Sequence, residues 1–535
     1  MTKMERLASN TRYTFDEWQN GVFPPKSWDL ADAVRDGWAK ENIDTFIKTT
    51  AGPVIEPKPS QDINHGQTNN AALAGADIRM ATQYKTAGFS DFSESDIAAV
   101  FVERNCEEYR FDHSCGSWFK WTGVRWSKDE IGLAFDAIRM ICDEAADAGR
   151  YLSTNGASGA KRIRSAKTIK GVEFIAQRRP HLSVTSAAWD QDKSLLGTPA
   201  GTVDLRTGEI RAADPGDMIS KIAAVEPSGD AECPQWIAFL SQACAGDASL
   251  IKYLQKICGY ALTGNTSEHA LFFIHGPGGN GKSVFLNVLA GIMGDYAQEA
   301  PMETFTASYG NSHPTELAML AGARLVTASE TESGRAWAES RIKSLTGGDM
   351  ISARFMRQDY FQFKPQFKLL IAGNHAPVLK RVDDAMKRRL RVIPFTNKPA
   401  TVDLNLERKL RKEWPAILQW MIEGCLAWQK ERLPAPDAVK QTTDSYFAEQ
   451  DLVGEWLAER CIIDSAEEES VGLAFADWDT FVRDSGERPG TKKALTQELV
   501  RKGIRTGSTY VSGIRTRSYV GMRLKFRSDE MTASA

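Results

Sequence analysis

Residues 271–293 read LFFIHGPGGNGKSVFLNVLAGIM. Leu271 to Ile274 form a short apolar run with the length and composition of a buried strand. It leads into Gly276-Pro277-Gly278-Gly279-Asn280-Gly281-Lys282-Ser283, and from Val284 to Met293 the apolar residues recur at helical spacing. Strand, glycine loop and helix in this order are the context in which GxxxxGK[ST] binds phosphate. Glycines let backbone N–H groups turn inward around the phosphates, and the helix N-terminus adds a favourable dipole. Gly276 to Val284 are therefore expected to bind ATP, with Lys282 reaching the β- and γ-phosphates and Ser283 holding Mg²⁺. The fold class that follows is α/β, built around a P-loop NTPase.

Such a loop needs an acidic partner at the end of another strand, for the metal ion and for polarising water. ARLVTASETE (323–332) offers one: 325–328 is strand-like, and Glu330 and Glu332 sit just past its end, Glu330 being the expected second Mg²⁺ ligand. A third strand, FKLLIAGN (367–374), ends on a polar amide. Open α/β sheets bind ligands at the C-terminal edge of their strands, so Asn374 is a candidate for sensing the γ-phosphate or orienting water. Alone it would be a turn residue. Arg388 and Arg389 precede the strand-like 390–395; either is a candidate arginine finger for a neighbouring subunit, or a surface arginine.

The succession GPGGNGKS, ASETE, KSLTGGDMISAR (343–354), LLIAGN and RRLRVIPF resembles the superfamily III helicases. It is most similar to the phage and plasmid primase-helicases related to the poxvirus primase-helicase. The likeness extends upstream through WFKWTGVRW (118–126) and LLGTPAGTVDLRTGEI (195–210) and takes in residues 90 to about 530. It implies an AAA+-like motor that assembles as a homo-hexameric ring, hydrolyses ATP, translocates on single-stranded DNA and unwinds forked duplex. It also implies a DNA-contacting hairpin after residues 343–349, which makes Lys343, Arg354, Arg357 and Lys364 candidate phosphate contacts. Many relatives carry an N-terminal priming domain. Only about 90 residues precede the family region here, so primase activity is not expected of this chain, and a separate primase or polymerase is an expected partner.

Outward from the motor, residues 1–48 read as a short helical segment and 49–88 as a Pro-, Gly- and Asn-rich linker. Residues 89–235 read as a mixed α/β domain. Trp118 to Trp126 and Thr202 to Arg211 are each two short strands around a Thr-Gly turn. The tryptophans are read as hairpin core in preference to base stacking, and the basic run 161–170 as a solvated helix face. The motor spans 236–398 and a helical region 399–460. Residues 461–535 read as helices followed by strands near 508–511 and 519–526, the pattern of a winged helix.

The chain has 535 residues and a net charge of −3, which excludes a uniformly basic DNA coat. The charge is uneven. Residues 483–527 hold twelve basic and three acidic residues, a net +9. That is an electrostatic footprint for phosphate backbones, with Lys492, Lys493, Arg501, Lys502, Arg515 and Arg517 as candidate contacts. The alternative is a basic face used between subunits. Eight cysteines form no CxxC, and Cys106, His113 and Cys115 lack a nearby fourth ligand, so they are read as two buried thiols and a surface imidazole. No apolar run reaches the ~18 residues that span a bilayer, so no membrane partner is expected. The reading is thus an ATP-dependent replicative helicase in the cytoplasm of a bacterial host. A bifunctional primase-helicase, and an origin-binding initiator or loader that uses ATP without unwinding, are the alternatives.

Overall fold

The computed structural model describes residues 88–152, 156–307, 314–330, 336–357, 359–379, 383–484, 489–511 and 514–525. The expected N-terminal helical segment, the linker up to residue 87, Glu332, Arg488 and Arg527 lie outside the described residues. Helix α1 (Glu94–Asn105) starts where Ser93 Oγ accepts the amide of Asp96. Strands β1 (Tyr109–Asp112), β2 (Ser117–Trp121) and β3 (Trp126–Lys128) form an antiparallel meander, and helices α2 (Leu133–Leu152), α3 (Gly156–Ile163) and α4 (Ala166–Ala176) pack on it. Strand β4 (Ser183–Val184) closes this sheet beside β1.

Trp118 and Trp126 are buried, and their indole N–H groups donate to Glu173 and to the Pro215 carbonyl, so they serve as core. Arg164, in the basic run, pairs with Asp143 at 3.1 Å and Asp147 at 2.6 Å on the helix surface. The two thiols are not both buried as expected. Cys106 is half-buried and Cys115 is exposed, because the latter sits in the β1–β2 turn rather than on a core-facing strand position.

A second small sheet follows: β5 (Leu195–Thr198), β6 (Gly201–Asp204) and β7 (Glu209–Arg211), all antiparallel. Helices α5 (Pro234–Ala243) and α6 (Ala248–Leu262) lead to the central sheet. Its strands are β8 (Leu271–His275), β9 (Ala297–Glu299), β10 (Leu325–Glu330), β13 (Lys368–Gly373) and β14 (Leu390–Pro394), in the order β14-β8-β13-β10-β9, all parallel. Helix α7 (Lys282–Met293) follows β8, and α8 (Pro314–Ala318) and α9 (Glu339–Gly347) flank β10. Strands β11 (Ile351–Ala353) and β12 (Phe361–Phe363) form a separate hairpin, and α10 (Asp384–Arg389) precedes β14.

The apolar run at 271–274 alternates between two cores. Phe272 and Ile274 face one shared with α5, α6 and α7, whereas Leu271 and Phe273 face another shared with α9. A parallel sheet covered on both faces needs such continuous apolar strands. After β14 come α11 (Leu406–Arg411), α12 (Trp414–Glu431) and α13 (Asp437–Glu449).

The second small sheet packs with the central unit. Leu196, Val203 and Leu205 of the second small sheet belong to the core of the central unit, together with Ile417, Met421 and Cys425 of α12. The first core ends at Leu182, and Leu196 is the first residue of the next. The joint is polar as well. Buried Arg324 donates to the carbonyls of Leu262 and Leu195, each at 2.7 Å, and stacks over Tyr296, whose hydroxyl accepts the Gly197 amide at 3.0 Å.

The last unit has its own core, built from α14 (Leu452–Arg460), α15 (Val471–Asp484) and α16 (Lys492–Arg501). Strand β16 (Glu468–Ser470) pairs with a hairpin longer than expected, β17 (Arg505–Val511) with β18 (Ile514–Val520), while β15 (Cys461–Ile462) pairs with β19 (Arg523–Leu524). Among the described residues, no helix is long and apolar enough to cross a membrane.

Candidate nucleotide and DNA site

The loop after β8 is shaped by close backbone approaches. Gly276 has φ 157°, and a Cβ there would lie 1.9 Å from the Phe395 carbonyl oxygen. Gly281, at φ 89°, faces Phe239, which a Cβ would meet at 2.5 Å. Both positions require glycine. Lys282 folds back into the concavity this creates. Its Nζ donates to the carbonyls of Gly276 at 2.7 Å and Pro277 at 3.0 Å and to Asn280 Oδ1 at 2.8 Å. All three ammonium protons are thereby engaged. Burial, reinforced by the charge of Lys398, holds the amine below the ordinary lysine pKa. Asn280 is itself buried, and its amide donates to Phe395 O, so it positions Lys282. Ser283, the second residue of α7, is exposed at the loop's mouth.

Strand order brings the other candidates to the same edge. His275 is level with Gly373 and Pro394, and Gly373 is level with Glu330. Asn374 therefore begins beside the glycine loop, between β8 and the end of β10 that carries Glu330. A Cβ added to Gly278 would lie 3.8 Å from Asn374 Nδ2. His275 is a residue the sequence reading missed. Burial keeps its imidazole below the ordinary value, against a hydrogen bond with the Asn374 backbone, and Lys282 lowers it further. A histidine at the end of a strand, directly before the glycine loop, was the available signal.

Arg388 and Arg389 differ in the structure. Arg389 is half-buried and donates to Thr346 Oγ1 at 3.2 Å and Ala385 O at 3.0 Å. Arg388 is exposed, with its Nε on Asp384 O at 3.2 Å.

The hairpin pairs Ile351 with Phe363 and Ala353 with Phe361. Phe355 stacks on Phe361 with centroids 5.6 Å apart, and the Arg354 guanidinium lies over Tyr360 at 4.9 Å. Arg357 adopts φ 62° near the tip, and Lys364 is exposed at the base. Lys343 precedes the hairpin. It lies on α9 and its amine is held by Asp383, which sets it apart from the hairpin cations.

Two family matches fall on these elements: residues 98–245 match the family described as D5 N terminal like, and residues 274–389 match a family of unknown function. Over 420 residues, 68% of this chain, the sequence is 29% identical to the "Putative helicase L207/L206" of Acanthamoeba polyphaga mimivirus. Over 324 residues it is 26% identical to the "Putative helicase 022R" of Frog virus 3. These matches support a likeness to the phage and viral primase-helicases.

The chain spans 43% and 32% of the length of these two relatives. Among solved structures, the apo C-terminal region of NrS-1 (305–718) is similar with a TM-score of 0.45 and 11% identity, over 81% of this chain and all of that one.

The basic C-terminal unit lies beyond both matched segments. Lys492 and Lys493 are exposed at the start of α16, where Thr491 caps the helix. Arg515 and Arg517 are exposed on β18, opposite Tyr510 and Ser508. Tyr510 is 72% exposed and was missed, because an isolated tyrosine in a strand reads as core. Arg501 and Lys502 are already engaged by Glu498 and Asp451.

Proposed function

We propose that the protein is an ATP-driven DNA helicase of a phage, prophage or plasmid, working as a homo-hexameric ring on single-stranded and forked DNA. The observation that carries this reading is the meeting of three groups at one edge of a parallel sheet: the Lys282-filled glycine loop, Asn374 and the end of the Glu330 strand. A phosphate entering the loop competes with the Gly276 and Pro277 carbonyls for the Lys282 ammonium, so the resting hydrogen bonds hold the amine where charge is needed. Ser283 and Glu330 are the residues that would hold Mg²⁺, which when bound neutralises phosphate charge. Glu330 or Glu332 accepts a proton from the attacking water, and Asn374 orients that water against the γ-phosphate. The C-terminal unit acts as a winged helix that grips DNA through Lys492, Lys493, Arg515 and Arg517.

The direct test measures ATPase and fork unwinding with and without single-stranded DNA, alongside mass with nucleotide bound. ATPase without strand separation would replace the helicase reading by an initiator or loader, which the basic C-terminal surface would also suit. Asn374→Ala is expected to slow hydrolysis by about 10²–10³-fold while nucleotide affinity changes less than about threefold, because the amide acts on the transition state. Phosphate release and titration with a fluorescent ATP analogue separate the two quantities; loss of affinity alone would make Asn374 a binding residue.

The exposed guanidinium of Arg388, compared with the internally bonded Arg389, supports Arg388 as the finger that acts on a neighbour's nucleotide. Arg388→Ala is expected to reduce hydrolysis by about 10³-fold. Mixing it with a Lys282→Ala variant should restore part of the activity, since each interface of one orientation regains a complete site. No recovery on mixing would place Arg388 in its own subunit's site or outside the reaction.

A further inference from the structure

The end of the central sheet opposite the nucleotide edge holds a cavity of about 500 Å³. Three cations line it from distant parts of the chain: Lys193 just before β5, Lys364 just after β12 and Arg432 just after α12. Asn265, Thr266 and Ser267 add polar groups, and no carboxylate lies in the lining. Among the described residues none of the three cations forms an ion pair. The nearby acid Glu268 already accepts the indole N–H of Trp428 at 2.8 Å.

The cavity is built rather than incidental. The amide of Gly264 donates to the Lys193 carbonyl at 3.0 Å, and a Cβ at Gly264 would meet Lys193 Cβ at 2.8 Å, which fixes Lys193 against the loop 263–267. Beneath that loop, buried Lys368 takes the carbonyls of Thr263 and Asn265. The negative ends of those two peptide groups thus point at Lys368, away from the cavity. Three like charges around a concavity with no carboxylate in its lining make a positive site, which an anion relieves. Trp428, the aromatic in the wall, is 3% exposed and has its N–H engaged, so nothing there stacks a base. Phosphate oxygens, not nucleobases, fit this chemistry.

We infer that this cavity binds backbone phosphates of single-stranded DNA, continuing the path of the β11–β12 hairpin and making Lys193 of the upstream segment a DNA contact. The inference rests on the helicase reading, because Lys364 joins the cavity to the hairpin.

The test is binding of a fluorescent thymidine oligonucleotide by the full chain over a series of salt concentrations. Lys193→Ala/Arg432→Ala is expected to weaken binding about tenfold at moderate salt and to flatten the slope of log K against log salt by about 1.4, that is about 0.7 per lost phosphate contact. Lys193→Arg/Arg432→Lys, which keeps the charges, should retain the wild-type slope; if it flattens equally, the effect is packing and the inference falls. An unchanged slope in the alanine variant, with a wild type that unwinds forks, overturns the cavity alone. A wild type that binds no single-stranded DNA overturns both the cavity and the helicase reading.

Discussion

Lys282→Ala is expected to lower ATP hydrolysis by at least about 10²–10³-fold, the scale seen when one preorganised charge-stabilising donor is removed. The ammonium is already in the loop, held by Gly276 O, Pro277 O and Asn280 Oδ1 at 2.7–3.0 Å, so little reorganisation precedes its contact with phosphate. Alanine leaves two backbone carbonyls and an amide oxygen without this partner, and water at the loop's mouth can replace it. The fold is therefore expected to persist with an unfolding midpoint near that of the wild type. The C-terminal unit, which has its own core, should still retain duplex DNA in a gel-shift measurement. Hydrolysis that survives the substitution would remove the loop from the chemistry. Lost hydrolysis accompanied by loss of duplex binding would instead report a folding defect.

Gly259→Ala is expected to have the largest effect on stability. Helices α6 and α12 touch through glycines. A Cβ at Gly259 would lie 2.0 Å from the Cys425 amide nitrogen and 2.5 Å from the Met421 carbonyl oxygen. Reciprocally, one at Gly424 would lie 2.1 Å from the Gln255 carbonyl. These neighbours are backbone atoms that cannot rotate away, so the helices must separate. That separation loosens a contact lined by buried Leu254, Ile257, Met421 and Ile422. Overpacking of this kind costs about 1–3 kcal/mol, and here the upper end is expected. The urea midpoint reads it, with Gly229→Ala, where nothing lies within 4 Å of the added atom, as the comparison. Equal midpoints for the two variants would mean that the helices are not held at this distance.

Local chemistry was legible in the sequence wherever neighbours in the chain are also neighbours in space. The run at 271–275, the glycine loop and α7 follow one another directly, and each has a pattern of its own. The amide after β13 could be recognised as polar at a strand end. Its insertion between the glycine-loop strand and the Glu330 strand depends on pairing residues roughly 40 to 100 positions apart, which no local pattern encodes. Lys343 reads as a candidate phosphate contact, and its ion pair with Asp383, forty residues further on, leaves no local pattern. Strand β18 was only partly visible because its positions alternating with exposed Arg515 and Arg517, Thr516 and Ser518, are polar rather than apolar. Lys193 and Arg432 carried no signal at all, since each is an ordinary loop cation until the fold sets them around one cavity.

The second small sheet has a consequence for how such proteins can be recombined. Its Leu196, Val203 and Leu205 fill the interior of the central unit, and Leu205 O accepts an amide from Gln429 at 2.7 Å. A crossover placed between this sheet and α5 would deliver a central unit missing part of its interior and leave an orphaned sheet on the donor. An exchange that keeps this interior whole must therefore fall upstream of Leu195.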